Sequence, residues 1–232
     1  MLDWIENWER VLVFGAHVDD ELIGPGGTIK RLSQASAQVH VVTFTGGDAD
    51  TGYARPEWKG KVGALRREEA GRIDAILGIA QRTFLGYPTQ NVPNDVGAYQ
   101  QCVGLIRSFR PQVIFTHWYE DKHRDHRAVA ALTDEARWKA AEHLMPELGE
   151  PWHTPQLFFY EIMELFPHPS LLVDISESLQ PKLDAMQAAI TQLEVLPGIQ
   201  DYIRGLALAR GYGRGVQFAE AFLGSNLLPG LA

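Results

Sequence analysis

Four short runs rich in Val, Phe, Thr and Ile, at residues 11–14, 38–45, 82–87 and 112–117, alternate with longer stretches at 27–35, 62–77 and 97–109. The short runs are bounded by turn residues and read as strands, whereas the longer stretches carry apolar residues three and four apart and read as helices. The second helix ends in Leu77-Gly78, a good stop signal. Strand and helix in strict alternation predict a mostly parallel sheet covered by helices on both faces, because parallel strands need helical crossovers. The expected fold class is therefore α/β, a Rossmann-like three-layer arrangement. After Pro111 the pattern continues with a helix near 127–144, strands at 157–163 and 171–175, and a helix at 179–196. Residues 92–95 and 146–155 read as surface loops.

A chain of 232 residues with 45% hydrophobic and 22% charged residues can bury a core without disulfides or structural metal, so residues 1–232 are expected to form a single domain. Its formal charge of −8 disfavours nucleic acid and anionic membranes as partners, since both demand a basic face. Cys102 is the one cysteine, which rules out an intramolecular disulfide and points to a reducing compartment, the cytoplasm. The N-terminal stretch has acidic residues where a signal peptide needs basic ones and too short an apolar run for a membrane span.

Ligands in open α/β sheets bind beyond the carboxyl ends of the strands. Two loops there concentrate imidazoles and carboxylates. The loop after the first strand holds His17, Asp19, Asp20 and Glu21; the loop after 112–117 holds Glu120, Asp121, His123, Asp125 and His126. Three adjacent carboxylates at the end of a buried strand repel one another and are costly to desolvate unless a cation or strong donors meet them. A divalent transition metal such as zinc accepts imidazole nitrogen and carboxylate oxygen, and a catalytic site keeps one position open. His17 and Asp20 can turn toward one ion, His126 can supply a third bond, and Asp19 stays close enough to accept a proton from water. Gly24-Pro25-Gly26-Gly27 lacks the spacing and the lysine of a phosphate loop and reads as a helix-start turn. Helix-start support is likewise the reading for Glu21.

Ala16-His17-Val18-Asp19-Asp20-Glu21 and His123-Arg124-Asp125-His126 resemble the A-H-P-D-D-E and H-x-D-H motifs of the LmbE/PIG-L family of zinc-dependent N-acetylglucosaminyl de-N-acetylases. The similarity runs on through Val42-Thr43-Phe44-Thr45-Gly46-Gly47-Asp48, Leu65-Arg66-Arg67-Glu68-Glu69, Phe84-Leu85-Gly86-Tyr87-Pro88, Val173-Asp174-Ile175-Ser176 and Phe218-Ala219-Glu220-Ala221-Phe222. The resemblance implies that His17, Asp20 and His126 bind zinc, that Asp19 is the general base, and that Arg66 binds substrate. It further implies a protonated His123 that stabilises the oxyanion or assists the leaving amine, with Asp125 orienting it. The implied partner is a small N-acetylated amino-sugar conjugate, and because family members often assemble, a homo-oligomer is an option. A phosphoester or another amide as substrate, or a non-catalytic sugar-binding role, stands as the alternative. Three positions depart from the family pattern. Val18 replaces a proline without removing a ligand, Thr89 stands where an aspartate is common, and Ala189-Ile190-Thr191-Gln192 replaces the late H-x-S-Q.

Overall fold

The computed structural model describes residues 4–47 and 55–227; Asp48, part of one resembling stretch, and residues 1–3, 49–54 and 228–232 lie outside the described residues. Among the described residues one sheet comprises β1 (Arg10–Gly15), β2 (Gln38–Thr45), β3 (Gln81–Tyr87), β4 (Val113–Thr116), β5 (Gln156–Tyr160), β6 (Leu171–Asp174) and β7 (Ala219–Gly224). Their order is β3-β2-β1-β4-β5-β7-β6. Strands β1 to β5 pair in parallel, and β7 runs antiparallel between β5 and β6.

The strands carry apolar residues at nearly every position because both faces are covered. In β1, Val11 and Val13 join one core while Leu12 and Phe14 join the other; in β2, Val39 and Val41 face the first, Val42 and Phe44 the second. The first core is closed by α1 (Asp20–Ile23), α2 (Gly26–Gln34), α3 (Val62–Leu77), α6 (Leu179–Ala188) and α8 (Ile199–Arg214). The second is closed by α4 (Val96–Phe109) and α5 (Arg124–Ala140). This is the expected three-layer α/β arrangement.

Two helices differ from expectation for identifiable reasons. The pattern at 179–196 is interrupted at Ala189, leaving α6 and a separate α7 (Ile190–Val195). There the Glu69 carboxylate accepts hydrogen bonds from Thr191 N at 2.8 Å and Thr191 Oγ1 at 2.6 Å, so a side chain from α3 takes the amide that helix continuation would use. Helix α5 starts three residues earlier than expected because His123 acts as its N-cap, its Nδ1 accepting from Asp125 N at 3.2 Å. At its other end the buried Arg107 donates to the carbonyls of Lys139, Ala140, Glu142 and Met145, and to Gly149 in the 146–155 loop.

Strand order reverses between β1 and β4, whose register pairs Val13 with Phe115. The loops leaving their carboxyl ends therefore meet at a topological switch point, where a ligand crevice is expected.

Candidate metal centre

The β1 loop is pinned on both sides before it presents a side chain. Thr45 donates to Ala16 O from its backbone N at 3.0 Å and from Oγ1 at 2.8 Å, while Ala16 N lies 3.0 Å from His117 Nε2. Asp20 Oδ2 accepts from His17 N at 2.7 Å, folding the turn so that both side chains reach the same side. Val18, in place of the family's proline, is buried in the first core. The second loop contributes the first turn of α5, which brings Asp125 and His126 inward.

His17 Nδ1 and His126 Nε2 stand 3.3 Å apart. Asp20 Oδ1 is 3.3 Å from His126 Nε2, and Asp20 Oδ2 is 3.5 Å from His17 Nδ1. Donors around a tetrahedral ion with bonds of about 2.0–2.1 Å are separated by about 3.4 Å, so the triangle has the right size. Each imidazole is turned by a carboxylate on its other nitrogen: Asp125 Oδ2 lies 3.1 Å from His17 Nε2, and Asp121 Oδ2 lies 3.2 Å from His126 Nδ1. The carboxylates take the ring protons outward, leaving lone pairs to converge inward beside Asp20. Such a donor set fits a divalent metal. Two overlapping groups among the described residues have the compactness to hold an ion, His17 with His123 and His126, and Asp20 with His117 and His126.

The electrostatics point the same way. Burial alone would lower both imidazoles, but Asp125 and Asp20 carry His17 up to about 9, and Asp20 with Asp121 carries His126 up to about 10. A setting that draws protons this strongly favours any cation. Burial also works to raise Asp20, yet His126 and His117 hold its carboxyl well below the usual range. Asp19 is buried beside it but takes no part in the triangle. Its pKa is raised by burial and by the Asp20 charge, against the pull of Arg66 and His17.

All seven residues singled out from the sequence gather here. His17, Asp19, Asp20, Arg66, His123 and His126 line one cavity of about 360 Å³, and Asp125 lies behind His17. Arg66 reaches it from α3 across Gly47, whose φ is +68° and where a Cβ would fall 2.4 Å from Arg66 Cδ; only glycine serves both conditions.

Two expectations are corrected. The Asp125 carboxylate orients His17, not His123, and accepts in addition from Gln90 N at 2.8 Å and Val92 N at 3.2 Å. At His123, burial first, then the neighbouring His126 and His17, lower the pKa, against the pull of Asp125 and Asp20. His123 Nδ1 accepts the Asp125 amide proton, and its Nε2 lies 3.3 Å from Gln90 Nε2. Glu21 does not support a helix start. Fully buried, it lies 2.6 Å from Arg82, which also bonds Asp74 and Thr43.

Sequence reading missed His117 and left Asp121 without a role. His117 is fully buried at the end of β4, with Nε2 2.9 Å from Asp20 Oδ2 and its ring stacked on His126 at 3.9 Å. Burial, then the charge of His126, pushes it down to about 4, so it is a neutral prop. Asp121 sits five residues before His126, a spacing that carries no signal until the loop folds back. The Gly24–Gly27 turn is indeed a helix start: Glu220 accepts from Gly27 N at 2.7 Å and Thr28 N at 2.8 Å, filling the α2 amino terminus from within.

The family model described as PIG-L, GlcNAc-PI de-N-acetylase, matches residues 12–137. Diacetylchitobiose deacetylase of Thermococcus kodakarensis is 31% identical, with 96% of this chain and 84% of that protein aligned. The 1D-myo-inositol 2-acetamido-2-deoxy-alpha-D-glucopyranoside deacetylase of Rhodococcus erythropolis is 33% identical over 67% of this chain, which spans 62% of that relative's length. The crystal structure of a conserved protein from Thermus thermophilus superposes with a TM-score of 0.83 at 30% identity, covering 96% of each chain. With both metal-type motifs inside the matched region and the fold shared end to end, this chain belongs to the PIG-L (LmbE) family.

Proposed function

We propose that the protein is a zinc-dependent hydrolase that removes the acetyl group from an N-acetylglucosamine-type substrate, releasing acetate and a free amine. The observation that carries this reading is the convergence of His17 Nδ1, Asp20 and His126 Nε2 in a cavity that also presents Asp19, Arg66 and His123. The relatives' names support the substrate class, since both are deacetylases of acetamido sugars or their conjugates. Held by His17, Asp20 and His126, zinc would supply Lewis acidity toward the acetyl carbonyl and bring the pKa of water to about 7.

The remaining chemistry belongs to the chain. Asp19, raised above the ordinary carboxylate range, accepts the proton of the attacking water and is then positioned to return it to the departing amine. His123 lines the cavity with its Nδ1 taken by the Asp125 amide, which leaves Nε2 to donate a hydrogen bond to the oxygen on which negative charge develops. Arg66, whose charge opposes the upward push that burial and Asp20 give Asp19, lines the same cavity and faces the sugar. Asp125, Asp121 and His117 fix the three metal-facing groups.

The continuous sheet and its two covering cores support reading residues 1–232 as one domain. The lone, buried Cys102 supports a reducing, cytoplasmic setting, and no helix among the described residues is long and apolar enough to cross a membrane. The deciding experiment is acetate release from a panel of N-acetylglucosaminides, before and after chelation and with zinc restored. Release that stops on chelation and returns with zinc is expected. Phosphate-ester hydrolysis without acetate release would overturn the assignment.

A further inference from the structure

The cavity at the metal triangle has two unlike walls. One consists of the histidines and carboxylates already described. The other is apolar: Ile23, Ile162, Met163, Val195 and Leu196. This second wall is built from fixed parts. Ile23 lies three residues after Asp20 on α1 and is buried. Ile162 and Met163 follow β5 after Glu161. Gln192, Val195 and Leu196 fall at i, i+3 and i+4 and so share one face of α7 and its end, turned into the cavity. The Glu69 clamp on Thr191 fixes α7 to α3 and sets that face in place.

Charge on this wall is sparse. Arg66 and Lys122 are the arginine and lysine that line the cavity among the described residues; Arg66 sits by Asp19, and Lys122, its side chain 67% exposed, lies 3.6 Å from Glu164. Asp19, Asp20 and Asp121 add negative charge nearby. Val195 remains 48% exposed at the rim, an apolar side chain still to be covered.

We infer that this wall is an aglycone subsite selecting N-acetylglucosaminides whose second group is apolar, aryl or alkyl, over those carrying a phosphate; the inference rests on the de-N-acetylase reading above. A sugar with its acetamide at the metal triangle places its aglycone against Ile162, Met163 and the α7 face, where burial of apolar area favours hydrocarbon and leaves an anion unmatched.

The test compares kcat/KM for acetate release from methyl, phenyl and octyl N-acetylglucosaminides and from an N-acetylglucosaminyl inositol phosphate, with the zinc-loaded full chain. Phenyl and octyl glycosides are expected to exceed the methyl glycoside by roughly tenfold, the worth of a small apolar increment in a pocket. In Val195→Asp, altered at a half-exposed position that tolerates charge, that ratio should fall toward one while the thermal midpoint stays close to the parent's. Equal kcat/KM for methyl and phenyl glycosides, or a lead for the inositol phosphate, would overturn the subsite and leave the de-N-acetylase reading standing. No acetate from any glycoside would overturn both.

Discussion

Asp19 and Asp20 are adjacent and both buried, yet their environments push them in opposite directions, one up and one well below the usual range. Asp19→Asn should therefore retain bound zinc, measured by elemental analysis after dialysis, and lose kcat by about 10²–10⁴-fold, the usual worth of a positioned base. Asp125→Asn should instead weaken zinc affinity by about 10–100-fold in a chelator competition, because it turns His17 and holds no metal itself. Were Asp125 serving His123 alone, its substitution would lower turnover without touching metal affinity. The ligand-type residues were legible in the sequence because their chemistry clusters at strand ends. The partners of their second nitrogens were not, since hydrogen-bond direction depends on how the α5 amino terminus meets the loop carrying Gln90, a contact 35 residues apart in sequence.

At the scale of elements, Arg82 joins β3 to α1, α3 and β2 through Glu21, Asp74 and Thr43, with its own side chain 5% exposed. Arg82→Met would leave Glu21 as a buried carboxyl, which burial already pushes up to about 8 against the pull of Arg82. Unfolding in urea should show a loss of about 3–5 kcal/mol, and adding Glu21→Gln should recover part of it. Since α1 also carries Asp20, the same variant should bind zinc less tightly. The sequence marks such elements well where apolar spacing is regular, as in α3 and α4. It fails at Ala189, where the helical pattern continues on paper but a distant carboxylate captures the amide of Thr191.

Across the whole molecule, His40 on β2 is a buried imidazole that has nothing to do with the cavity. It meets Thr83 Oγ1 at 2.9 Å and the Phe109 ring edge-on at 5.1 Å. Burial lowers its pKa from 6.5 to about 4. Between those values the unfolded chain takes up a proton that the folded one refuses, so its contribution to stability is intact above pH 6.5 and is lost as pH falls toward 4. The expected slope is about 1.4 kcal/mol per pH unit. His40→Phe should be less acid-sensitive than the parent across that window, as followed by thermal midpoints; parallel curves would exclude His40 as a source. The architecture itself was readable from alternation alone, whereas the antiparallel insertion of β7 between β5 and β6 was not, because nothing local in a six-residue strand specifies its neighbours.

Glu220 sits in that inserted strand. It holds the amino terminus of α2 and pairs with Lys182 at 2.7 Å, while Lys182 Nζ donates to the carbonyls of Ile23 and Gly24 just beyond the Asp19-Asp20 turn. During synthesis, the turn bearing the first two metal-type residues thus waits some 200 residues for its anchor. Assembly of the His17–Asp20 turn is consequently an event of the finished fold: before β7 docks, the turn has its side chains but not the frame that holds them.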